Sequence, residues 1–170
     1  GEERSLRGAA RAMVRTGLPL MVHLPGWFRL GHRVLDLVEE EGGDPAATVL
    51  CHMNPSHGDP AYQQGLAARG AFLEFDMIGM NYFYADQQVQ CPSDEEVARA
   101  VLSLAQAGFA DRLLLSQDVF IKMMLTRYGG NGYAFVVNHF LPRLRRHGAD
   151  EGLIARLMVG NPRRVFDATA

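Results

Sequence analysis

Short apolar runs alternate with helix-length amphipathic stretches along this chain of 170 residues, and that alternation leaves few folds open. The runs at 19–23, 48–52, 71–75 and 112–115 are too short for helices, rich in Leu, Val and Phe, and bounded by turn-forming residues. Strands of this kind, separated by crossover helices, predict a parallel sheet with an α(βα)4 order. Three of the runs deliver a metal-capable side chain at or just beyond their carboxyl end: His23, His52 and Asp118. A parallel α/β barrel builds its active site from strand ends in this way.

The helical stretches are legible from their apolar spacing and their stops. Residues 2–15 place Leu6, Ala9, Ala10, Met13 and Val14 on one face, and Thr16-Gly17 ends the pattern. Residues 28–41 follow, with Leu30, Val34, Leu35, Leu37 and Val38 inward, and then a short helix at 61–69 closed by Gly70. Ser93-Asp-Glu-Glu96 has the form of a capping box, opening a helix that runs to Ala107 before Gly108. Helices at 133–146 and 150–159 and a last turn initiated by Asn161-Pro162 complete the chain, while 77–92 reads as a long irregular loop. Four parallel strands are half of the roughly eight that close a barrel, and an open sheet leaves two edges bare. Together with a first residue other than Met and a start inside a helix, this predicts that residues 1–170 are one unit of a longer protein.

Composition narrows the function. A hydrophobic fraction of 48% with 21% charged residues is ordinary for a globular domain with a real core. A net charge of −2 and a pI near 6.3 offer no basic stripe for nucleic acid. No apolar run approaches the roughly 18 residues of a membrane span, and the polar opening is not a signal peptide. Cys51 and Cys91 have neither CxxC spacing nor the density of a secreted scaffold, so both read as free thiols in a cytoplasmic protein.

Two imidazoles at corresponding strand ends suit a zinc-type ion, and Asp118 could complete the shell or take a proton from bound water. Asp76 ends the third run and shares a strand face with Glu74 by the period of two, which makes it a candidate for orienting substrate or a buried acid bonded to its neighbours. Trp27, Phe28, Tyr82, Phe83 and Tyr84 fall in loops on the same side, with Trp27 and Tyr82 the leading substrate contacts. His57 reads as a solvated loop residue, His32 and His147 as surface groups, and His139 as helix packing. The glycine-rich loop at 128–133 lacks the Lys-Ser/Thr of a phosphate-binding loop.

The ordered set of motifs resembles the phosphotriesterase-related branch of the amidohydrolase superfamily. It comprises an opening helix ending in Thr16-Gly-Leu-Pro19, then Val22-His23, Cys51-His52 and Arg69-Gly-Ala-Phe-Leu-Glu-Phe-Asp76, followed by Leu115-Ser-Gln-Asp118, Tyr128-Gly-Gly-Asn-Gly-Tyr133 and Asn161-Pro162. The resemblance implies the carboxyl-terminal half of a TIM (β/α)8 barrel, roughly strands 5 to 8 with their helices. It implies a metal-dependent hydrolase with two divalent metal ions, zinc first among the candidates with cobalt, manganese or iron as the others, and a bridging hydroxide as nucleophile. His23 and His52 would bind one ion, and Asp118 would bind the other and relay the proton. The family's remaining ligands, a His-x-His pair and a bridging lysine, would come from an N-terminal half-barrel absent from this sequence. The implied partner is a small-molecule ester, lactone, amide or phosphotriester, and a homodimer is left open. Met77, where relatives often carry His or Arg, and Asn54-Pro55, where some place an acidic relay, argue against phosphotriester or lactone hydrolysis as the native reaction. The alternative is a catalytically inactive fragment or a structural half-barrel module.

Overall fold

Apolar side chains at consecutive positions suit a parallel strand covered on both faces. In the computed structural model, which describes residues 1–167, the four runs become β1 (Leu20–Val22), β2 (Thr48–Leu50), β3 (Phe72–Phe75) and, after a hairpin described below, β6 (Leu113–Leu115). They form one parallel sheet in the order β1-β2-β3-β6, with Leu20 opposite Thr48, Val49 opposite Phe72 and Leu73 opposite Leu113. The outer strands β1 and β6 each have one side of their ladder unpaired within the described residues.

The alternation of side chains sorts the sheet into two faces. Leu50, Leu73, Phe75 and Leu113 join the main core under the helices. That layer is built from α2 (Gly31–Glu40), α3 (Pro60–Ala68) and α4 (Asp94–Leu104), with α5 (Leu141–Arg146) and α6 (Glu151–Ala155) behind them. The opposite face carries Val49, Cys51, Phe72 and Leu114, joined by Val165 of α7 (Asn161–Phe166). The first helix, α1 (Glu2–Thr16), docks through Ala10 and Met13 onto Val38, and Gly17 at φ 70° closes it. The capping box at Ser93 and Glu96 is formed in both directions. No helix among the described residues is long and apolar enough to cross a membrane. Cys51 and Cys91 are both free and buried.

The structure departs from the sequence reading in several places. Residues 77–92 are not irregular throughout: β4 (Phe83–Tyr84) pairs antiparallel with β5 (Val89–Gln90). The β-forming Phe83, Tyr84 and Val89 flank a polar turn in which Gln88 takes φ 55°. The helix expected over 133–146 is also interrupted, by a widened π-type turn at Val136–Phe140 just before Pro142. A second such turn, Arg156–Gly160, stands just before Pro162. Proline has no N–H and its ring crowds the preceding turn, so in both helices the ladder loosens ahead of it.

Asn161 explains why α7 follows so closely. It is fully buried, and its side-chain nitrogen donates to the carbonyls of Ala110 and Leu113, 2.8 Å from each. Replacing Asn161 by alanine strands both carbonyls, and urea denaturation should register a loss of about 2–4 kcal/mol. A midpoint shift within error would mean that water replaces the amide.

Candidate metal centre

The carboxyl ends of β1 and β2 bring two imidazoles into contact. His52 Nε2 lies 2.7 Å from His23 Nδ1, and the rings meet edge to face with centroids 4.3 Å apart. Strict alternation would not produce this arrangement. Cys51 occupies the sheet face that carries Glu74, to which its thiol donates at 3.1 Å, so the next residue would be expected to point away. His52 escapes the alternation because its backbone is left-handed, φ 60°. Outside glycine such a conformation persists only where surrounding contacts hold it.

Asp76 does the holding. The His52 backbone N–H is shared between the two Asp76 carboxylate oxygens at 3.1 and 3.0 Å, and His52 Nδ1 lies 2.9 Å from Oδ1. Both groups are withdrawn from solvent, with side chains 13% and 6% exposed. The carboxylate accepts from Nδ1–H and leaves the lone pair on Nε2, the usual arrangement behind a metal-ligating histidine. That lone pair accepts from His23 Nδ1–H at 2.7 Å, the bond an ion between the rings would replace. The donors fit a divalent ion: with metal–nitrogen bonds near 2.0–2.1 Å, two ligands of a tetrahedral ion stand about 3.3 Å apart, so the rings need separate only slightly.

Charge follows from burial and neighbours. Burial disfavours the His52 imidazolium, but the Asp76 hydrogen bond and the negative charges of Asp76, Asp118 and Glu74 outweigh it and raise its pKa. Burial and the Asp76 charge raise Asp118, with His52 and His23 opposing. Glu74 is raised by burial and by Asp76. Burial and the carboxylates around it push the Cys51 thiol up, so it stays protonated.

Three of the residues singled out from sequence, His23, His52 and Asp118, line one cavity of about 530 Å³, and Trp27 forms part of its wall. Asp118 also takes a left-handed backbone, φ 44°. The metal-capable atoms that gather within 4.8 Å of one another belong to a different trio, Cys51, Glu74 and Asp76, so Asp118 faces the histidines without closing onto both. The trio itself is a poor ion site, since its thiol is held protonated and its Asp76 is occupied by His52. Tyr82 packs beside Trp27 and Tyr84 over Met77, Met80, Cys91 and Met124, and it lines a neighbouring cavity against the 129–132 loop.

Sequence reasoning grouped Tyr84 with the loop aromatics but put Tyr82 ahead of it, and it passed over Gly26 as a spacer. A Cβ on Gly26 would come within 2.6 Å of the His52 carbonyl oxygen, so only glycine lets the loop after β1 lie against the His52 backbone. The Gly-Trp pair in a strand-end loop is the one signal that could have pointed there.

A model of the phosphotriesterase family matches residues 1–166. An N-acetyltaurine hydrolase from Salmo salar is 30% identical over 166 residues, covering 96% of this chain and 47% of the relative. Among solved structures, a resiniferatoxin-binding protein from Rhodobacter sphaeroides superposes with a TM-score of 0.97 at 78% identity, covering 99% of this chain and 47% of that one. The phosphotriesterase homology protein from Escherichia coli, solved with phosphate in its active site, gives a TM-score of 0.85 at 27% identity, covering 95% and 52%. The chain thus spans about half the length of the relatives it matches.

Proposed function

From the premise that this chain belongs to the phosphotriesterase family, we propose that it supplies part of the metal centre of a metal-dependent hydrolase acting on an ester, lactone, amide or phosphotriester bond. The observation that carries this reading is the His52 ring, held by Asp76 through Nδ1 and turned by a left-handed backbone so that Nε2 meets His23 Nδ1. A structural histidine needs no such arrangement, whereas a ligand does.

In this reading His23 and His52 hold one divalent ion, zinc being the first candidate, and Asp118 reaches a second. When bound, such ions polarise the scissile carbonyl or phosphoryl oxygen and acidify water enough to attack near neutral pH. Asp76 keeps His52 in the required tautomer, and Asp118 accepts the proton released by the attacking water. The sheet corresponds to strands 5 to 8 of a (β/α)8 barrel. The unpaired sides of β1 and β6, and relatives about twice as long, support a first half that completes both barrel and ligand set. The same open edges favour the second reading, a half-barrel module without catalysis of its own.

Measuring metal content on the complete polypeptide, together with turnover of lactones, N-acyl amides and aryl esters, separates the readings. Two divalent ions per polypeptide with turnover are expected. One ion would indicate a mononuclear hydrolase, and none with no turnover would leave the structural module.

A further inference from the structure

We propose that Gln117 is a positioning residue for Asp118, and that the glycine-rich loop at 128–133 is the anchor it works from. The proposal rests on the hydrolase reading above and adds the device that aims the second ion's carboxylate. Alternation along β6 sends Leu113 and Leu115 to the helix side of the sheet and Leu114 to the inner face. Carried past the strand, the same period puts Ser116 and Asp118 inward, where both line a cavity with His23 and His52. Gln117 is turned outward. There its side-chain nitrogen donates to the carbonyl oxygens of Gly132, at 3.4 Å, and of Tyr133.

The anchor is itself held at several points. The N–H groups of Gly129, Gly130 and Gly132 bond back to the carbonyls of Thr126, Leu125 and Met124 at 3.1, 3.1 and 2.8 Å. A Cβ on Gly130 would come within 2.3 Å of the Met123 carbonyl oxygen, so only glycine lets the loop lie on its own preceding turn. Asn131 donates to the Gly79 carbonyl at 2.9 Å, and the Gly79 N–H donates to Asp94 at 2.8 Å, which ties the loop to the exit of β3 and the start of α4. Asp118 is in the opposite condition. Its left-handed backbone, φ 44°, persists only where neighbouring structure holds it, and the amide of the residue before it reaches the fixed loop.

Gln117→Met keeps the length of the side chain and removes its donor. The complete polypeptide, freed of metal, is titrated with cobalt(II) and followed by visible absorption, and the ion held by His23 and His52 is identified as the one that His52→Ala loses. In Gln117→Met that ion should bind within about twofold of wild type and the other about 10-fold more weakly. Asn131→Ala, which unties the loop from Gly79 without touching Gln117 or Asp118, should weaken the same second ion by about threefold. A crystal structure of metal-free Gln117→Met should show Asp118 displaced from its left-handed backbone. Equal weakening of both ions, or of neither, overturns the proposal, as does a variant in which Asp118 keeps its wild-type backbone. Unchanged binding in Asn131→Ala removes the loop from it. If wild type binds no cobalt, the hydrolase reading falls, and the Asp118 backbone in the variant alone decides whether Gln117 positions it.

Discussion

Alanine at position 52 in the complete protein should reduce turnover by a factor on the order of a thousand, well beyond the roughly 10–100-fold that loss of an outer-shell partner brings. The side chain is one of the two nitrogens of the proposed ion site, and His23 alone is a weak monodentate ligand. Folding should be little affected. His52 stands at the strand end outside the apolar core, and its backbone N–H can keep both Asp76 contacts without the ring. Alanine at φ 60° carries the same backbone penalty that histidine already bears. Far-UV circular dichroism and a urea midpoint near wild type should therefore accompany the lost activity. Wild-type turnover with undiminished metal content would remove His52 from the ion site.

Asp76→Ala should give the second largest effect and a different signature. Removing the carboxylate frees both the His52 ring and the left-handed turn beneath it, so metal affinity should drop by about 10–100-fold. Competition against a chelator measures that directly. Because both histidines remain, excess metal should restore most of the turnover, which it should not do for His52→Ala. A variant that binds metal as wild type does would show that Asp76 is a buried acid of structural use only.

The sequence yields the α/β class, the parallel order and most helix limits because those depend on local periodicity and caps. Gly17, Gly70 and Ser93 mark their boundaries by rules that tertiary context rarely overrides. The hairpin of β4 and β5 escapes that reading since each strand is two residues long and pairs only with its neighbour. The two π-type turns escape it too, because proline spoils a helix without announcing how the backbone adjusts. At the site, strand-end position singles out His23 and His52, but not the carboxylate clamp or the positive φ that turn one ring toward the other. Those depend on Asp76, 24 residues further on in the neighbouring strand's exit. Aromatic residues in the loops are equally visible as a set. Which of Tyr82 and Tyr84 lines the cavity over the histidines depends on the hairpin register, which no local pattern encodes.

His23 leaves the sheet from one outermost strand and Asp118 follows the other, with His52 and Asp76 on the two strands between. The span between the outer donors is therefore governed by how strongly the sheet coils across four strands, and not by any side-chain rotamer alone. Whatever pairs with the free flanks of β1 and β6 acts as a caliper on that span: a flatter sheet spreads the donors, and a more tightly rolled one draws them together. Metal occupancy and the curvature of the backbone should then be two measurements of a single mechanical variable.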